Sequence, residues 1–99
     1  MGIRVALQRE DGSEIASVED DRNLLHGTLP GPAERFVWAS TIDPYGDTVF
    51  NHLQVERLRP EWEQLIRQAS DAQISALLHR IKELLDQCSE HRYLKFYGD

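Results

Sequence analysis

Ile3, Val5 and Leu7 alternate with Arg4, Ala6 and Gln8 near the start of the chain. An apolar residue at every second position is the period of a strand with one buried face. Asp11-Gly12 follows, a turn residue beside one that tolerates positive φ. Ser13 to Val18 predicts a second strand with Ile15 and Val18 inward, completing an antiparallel hairpin. Asn23-Leu24-Leu25-His26 predicts one helical turn, capped by Asp20 or Asp21 and ended by Gly27. Leu29-Pro30-Gly31-Pro32 predicts a loop. Phe36 to Ile42 is rich in aromatic and β-branched residues and predicts a third, central strand. Asp43-Pro44-Tyr45-Gly46 fits a type I turn. Thr48-Val49-Phe50 is then expected to return as a fourth strand, in a hairpin about that turn.

The period changes at Leu53. Val55, Leu58, Trp62, Leu65, Ile66 and Ala69 fall at helical spacing. Asn51 is a fair N-cap for an early turn, but proline is comfortable only in the first turn of a helix. A bend is therefore expected over 52–58, with the main helix running from Pro60 to Ala69. Ser70 and Gln73 fit a capping box for the next helix, with Asp71 favoured by the dipole. Ile74, Leu77, Leu78, Ile81, Leu84, Leu85 and Cys88 form its apolar stripe. Tyr93 to Tyr97 predicts a last strand. The expected fold class is α+β: a mainly antiparallel sheet of about five strands with two helices on one face, in the order β-β-β-β-α-α-β, forming one domain over 1–99.

Composition narrows the function classes. The 99 residues carry 11 Lys+Arg against 17 Asp+Glu, a formal charge of −6. That balance argues against nucleic acid as a partner, since phosphate binding needs a cationic surface. No apolar run approaches a bilayer span, and Met1 to Val5 do not open a signal peptide, so no membrane partner and a cytoplasmic location are expected. Cys88 is the one cysteine, which excludes an internal disulfide and a four-cysteine zinc site. Cys88 continues an apolar stripe, so neither metal ligation with His79 and His91 nor a nucleophilic role is expected. No glycine-rich phosphate loop or hydrolase elbow occurs. The chain is therefore read as non-enzymatic, without catalytic residues, metal or cofactor.

The charge is unevenly placed. Residues 1–49 carry 4 Arg against 9 acids, and residues 50–99 carry 7 Lys+Arg against 8. Glu10, Asp11, Glu14, Glu19, Asp20 and Asp21 crowd into the first hairpin and its exit. They are candidate contacts for a basic protein, because a local negative field speeds encounter; a hairpin face charged for solubility is the commoner reason for such a cluster. Pro44-Tyr45-Gly46-Asp47 and Phe96-Tyr97-Gly98-Asp99 repeat a Tyr-Gly-Asp tip at two strand ends. Tyr45, Asp47 and Tyr97 are candidate partner contacts there, since binding hot spots favour aromatics. Asp43, Tyr45, Asp47 and Asp99 are the residues that a small enzyme or ligand site would use instead.

The runs Ile42-Asp43-Pro44-Tyr45-Gly46-Asp47-Thr48-Val49-Phe50-Asn51 and Tyr93-Leu94-Lys95-Phe96-Tyr97-Gly98-Asp99 resemble those of a group of short uncharacterised bacterial proteins, single domains of similar strand and helix order. The resemblance assigns no functional residue. Small size, acidity and the lack of a catalytic set lead to the expectation of a toxin-immunity protein that blocks a basic toxin. An accessory subunit or homodimeric scaffold is the alternative within the same class.

Overall fold

A computed structural model describes residues 3–20, 22–30 and 36–98. Four strands are defined among them: β1 (Arg4–Arg9), β2 (Glu14–Glu19), β3 (Asp47–Asn51) and β4 (Arg92–Tyr97). Two helices, α1 (His52–Gln68) and α2 (Ala72–Gln87), lie between β3 and β4. The strands form one antiparallel sheet in the order β2-β1-β4-β3. The fold class is α+β with both helices on one face, and the sheet has four strands among the described residues where about five were expected.

The first hairpin forms as its pattern requires. Gly12 takes φ +87°, Arg9 N–H bonds Ser13 O at 2.9 Å, and the Asp11 carboxylate accepts Ser13 N–H at 2.8 Å. The register shifts after Leu7, so Gln8 pairs with Glu14 and Ile15 is the extra residue of a bulge. Alternation sends Val5, Leu7, Leu94, Phe96 and Phe50 to the helix side, where all are buried. Phe96 lies at the centre, edge-on to Phe50 at 5.8 Å and 6.0 Å from the Trp62 ring.

Residues 36–42 depart from expectation. Ala39–Thr41 is a 3-10 turn, and no strand forms there. The Glu61 carboxylate takes the N–H groups of Trp38 and Ala39 at 2.9–3.2 Å, donors that a ladder would have used. Phe36, Ala39 and Ile42 are the buried residues of this run. Their spacing of three is helical, and β-propensity alone concealed it. The expected hairpin about Asp43–Gly46 is therefore absent, and β3 pairs with β4 instead.

The first helix also differs. Asn51 and Gln54 form a reciprocal capping box, so α1 starts at His52 and runs through Pro60. An interior proline costs about 3 kcal/mol. Burial of Val55, Leu58, Trp62 and Leu65 returns roughly 1.5–3 kcal/mol per side chain before entropy. Pro60 and Glu56, whose carbonyl loses its donor, both lie on the exposed side. Leu53, where the helical period begins, is exposed. In α2 the cap is Asp71, which accepts Gln73 and Ile74 N–H, so the Ser70 frame was one residue early. The α2 stripe is buried from Leu77 to Cys88.

Candidate interaction surface

The sheet face opposite the helices is built by strand register. Three rows cross all four strands: Glu19–Arg4–Tyr97–Asp47, Ser17–Ala6–Lys95–Val49 and Glu14–Gln8–Tyr93–Asn51. Tyr97 is the hub of the first row. Arg4 lies 5.2 Å and Lys95 4.5 Å from its ring centre, and its hydroxyl accepts from Gln8 Nε2 at 2.7 Å. Two cations against one ring hold it in place by its quadrupole. Arg4 also donates to Glu14 and lies 3.7 Å from Glu19, while Lys95 reaches Asp47 at 3.6 Å. Ala6, in the middle row, is fully covered by its longer neighbours.

Tyr45-Gly46-Asp47 and Tyr97-Gly98 meet at one end of this face. Asp47 pairs with Tyr97 in the ladder, which sets Gly98 against Gly46. A Cβ on Gly98 would overlap the backbone nitrogen and oxygen of Gly46, so glycine is required by close approach. The turn before β3 is built as its sequence indicates: Asp43 O accepts Gly46 N–H at 3.3 Å and Asp43 Oδ1 accepts Tyr45 N–H at 2.9 Å. Tyr45 stands 72 % exposed at this tip, and Val49 is half exposed further along β3. Tyr97 is half-buried, less open than its terminal position suggested. Asp99 lies outside the described residues, and of the enzyme-like set Asp43 is exposed and committed to its turn.

The acidic hairpin proves to be largely engaged internally. Glu14 and Glu19 face Arg4, and Asp11 closes its own turn, which lowers the pKa of its carboxyl through the Ser13 bonds. Glu10 reaches across to His91 at 2.8 Å. Asp20 is 4 % exposed, and its two oxygens accept Leu24 and Leu25 N–H at 2.9 and 2.6 Å. It holds the turn Leu25–Gly27, as its capping position implied, and presents no accessible carboxylate. Asp21 lies outside the described residues.

The remaining chemistry-bearing groups are dispersed. Cys88 is buried, and burial pushes its thiol up from the ordinary range. His79 Nδ1 sits 2.8 Å from Ser75 O on the exposed side of α2, away from His91. Among the described residues no three His, Cys, Asp or Glu side chains converge as metal ligands. No described helix is long and apolar enough to cross a membrane. Strand order brings together surface residues that the local pattern does not connect. Val49, Arg4 and Lys95 join Tyr45, Asp47 and Tyr97 only because β4 inserts between β1 and β3, a pairing that no local signal announces. No protein family, curated protein or solved structure matches the chain.

Proposed function

We propose that the chain is a non-catalytic protein-binding domain acting in the cytoplasm, most concretely an immunity protein that neutralises a bacterial toxin by occluding its active site. The observation that carries this reading is the helix-free face of the sheet, ending at exposed Tyr45 and Val49 beside Asp47. An aliphatic and a carboxylate on the laddered backbone of β3 are presented there beside an aromatic from the turn before it, which keeps the ordering cost of binding low. The net charge of −6 suits a basic toxin. The carboxylates of the first hairpin contribute to attraction at long range, and close contact centres on the β3 tip. The resemblance to short bacterial single domains fits the same reading.

The test is co-expression with the product of the adjacent toxin gene. Growth should be restored by the parent chain, and the two proteins should co-purify. Tyr45→Ala and Val49→Asp should each weaken the complex by about tenfold or more, as hot-spot truncations do. Both sites are exposed, so circular dichroism should show an unchanged fold. Growth arrest that the parent chain does not relieve, with no complex recovered, would refute the reading.

A further inference from the structure

At the opposite margin of the molecule, β2 and the turn after it face α2 across a cleft of about 320 Å³. Gln73, Ala76, Leu77 and Arg80 of α2 line one wall at steps of three and four, a single helical stripe. Leu24 and Arg22 close the other side. The volume falls at the lower end of the range for small-molecule sites. Leu77 is buried and Leu24 half-buried, which gives the cleft an apolar floor. Its rim is cationic. Arg22 spends one donor on Gln73 Oε1 at 2.9 Å, leaving most of its guanidinium donors. The Arg80 side chain makes no hydrogen bond or ion pair with another described residue.

Two acids also border the cleft, and both are committed elsewhere. Asp20 is buried with its oxygens on the Leu24 and Leu25 N–H groups. Glu19 lies 3.7 Å from Arg4 on the neighbouring strand. A chain of net charge −6 thus keeps two arginines over an apolar-floored hollow, and no carboxylate among the described residues pairs with them. Guanidinium groups in that state are strong acceptor-seeking donors.

We propose that this cleft binds an anionic group carried on a small apolar body, the anion held by Arg80 and Arg22 and the body resting on Leu24 and Leu77. A phosphate monoester and a carboxylate share this chemistry. The site is separate from the β3 tip and does not depend on the protein-binding reading.

The experiment is a titration of isotopically labelled full chain with phenyl phosphate, phenylacetate and, as a cationic control, benzylamine, followed by backbone amide resonances. Saturable shifts should appear at Leu24, Ala76 and Leu77 with the two anions and not with benzylamine. A tighter response to phenyl phosphate points to a phosphorylated ligand, and a tighter response to phenylacetate to a carboxylate. Arg80→Met should weaken binding roughly 10- to 100-fold, the range for a lost bond to a charged group. Arg80 is exposed, so its replacement should leave the spectrum otherwise native. Arg22→Met should act in the same direction, Glu19→Gln should tighten binding, and Arg67→Gln on α1 should change nothing. The proposal is overturned by an absence of saturable shifts, by an equal response to benzylamine, or by unchanged affinity in Arg80→Met.

Discussion

Replacing Glu61 tests whether one side chain decides the conformation of residues 36–42. Its Oε1 accepts Trp38 N–H at 3.0 Å and Ala39 N–H at 2.9 Å, and Oε2 lies 3.2 Å from the Trp38 nitrogen. Ala39 is fully buried with Glu61 in place, so its N–H loses its one acceptor when the carboxylate is removed. A buried donor left without a partner costs about 1–3 kcal/mol, and a bond to a charged acceptor contributes about 1.5–3 kcal/mol. Glu61→Ala should therefore destabilise the fold by roughly 2–4 kcal/mol. Glu61→Gln keeps one oxygen able to accept from both donors but loses the charge and the second oxygen's contact with Trp38 N–H, so about 1 kcal/mol is expected. Urea unfolding followed by circular dichroism reads both. With a slope of about 1–1.5 kcal/mol/M for a domain of this size, Glu61→Ala should lower the midpoint by roughly 2 M and Glu61→Gln by less than 1 M. Amide exchange should accelerate at Trp38 and Ala39 in the alanine variant. If Glu61→Ala unfolds within about 0.5 kcal/mol of the parent, residues 36–42 owe their conformation to their apolar contacts and the argument fails.

Two further outcomes follow from the same structure. The exposed His91 imidazole faces Glu10 at 2.8 Å and Glu90 at 3.7 Å, and the Glu10 bond raises its pKa above the ordinary 6.5. A raised folded pKa means that this contact stabilises fully below pH 6.5 and is lost as pH rises through the folded value. The urea midpoint of the parent should thus fall across that window relative to His91→Asn, a variant that also tolerates the positive φ of 68° there; parallel profiles would remove Glu10–His91 from the stability account. Trp62 is fully buried, and its indole N–H donates to Leu78 O at 2.9 Å. Trp62→Phe should cost about 1–3 kcal/mol and Trp62→Ala about 3–5 kcal/mol by urea titration. Equal stability of parent and Trp62→Phe would show that the indole bond contributes nothing.

Where periodicity and turn chemistry agreed, the sequence was legible. The Ile3–Leu7 alternation, the Asp11-Gly12 turn and the α2 stripe each rest on contacts within a few residues, and each appears in the structure. The failures share a cause. Phe36–Ile42 has strand-like composition, but its conformation is set by Glu61, more than twenty residues away. Pro60 stands where a helix usually begins, yet the Asn51–Gln54 box and the buried stripe across it outweigh one missing bond. At the candidate surface, the Tyr-Gly-Asp echo marked two strand ends but gave no reason for Gly46 to meet Gly98. What enforces it is the ladder that sets Asp47 opposite Tyr97. Leu53, Val49 and Tyr45 show the converse: apolar side chains that an inside-outside rule would bury are exposed at the β3 margin.

Strand order also changes what the uneven charge means. Along the chain, the acids of residues 1–49 look like a block that the second half leaves uncompensated. In space, β4 comes from the second half and lies between β1 and β3. It brings Lys95 to Asp47, while the turn before it brings His91 to Glu10. The first row of the open face then reads carboxylate, guanidinium, phenol ring, carboxylate, from Glu19 through Arg4 and Tyr97 to Asp47. A surface of alternating sign has a short-ranged field, because neighbouring charges cancel within about a Debye length of 8–10 Å. The net charge of −6 still attracts a cationic protein from afar, but the row exerts its effect only on contact, where a misaligned partner meets like charges. Its contribution therefore belongs to orientation and specificity. Exchanging the signs of Lys95 and Asp47 together should leave the ion pair and the association rate nearly intact, while the dissociation rate of any complex formed on this face rises.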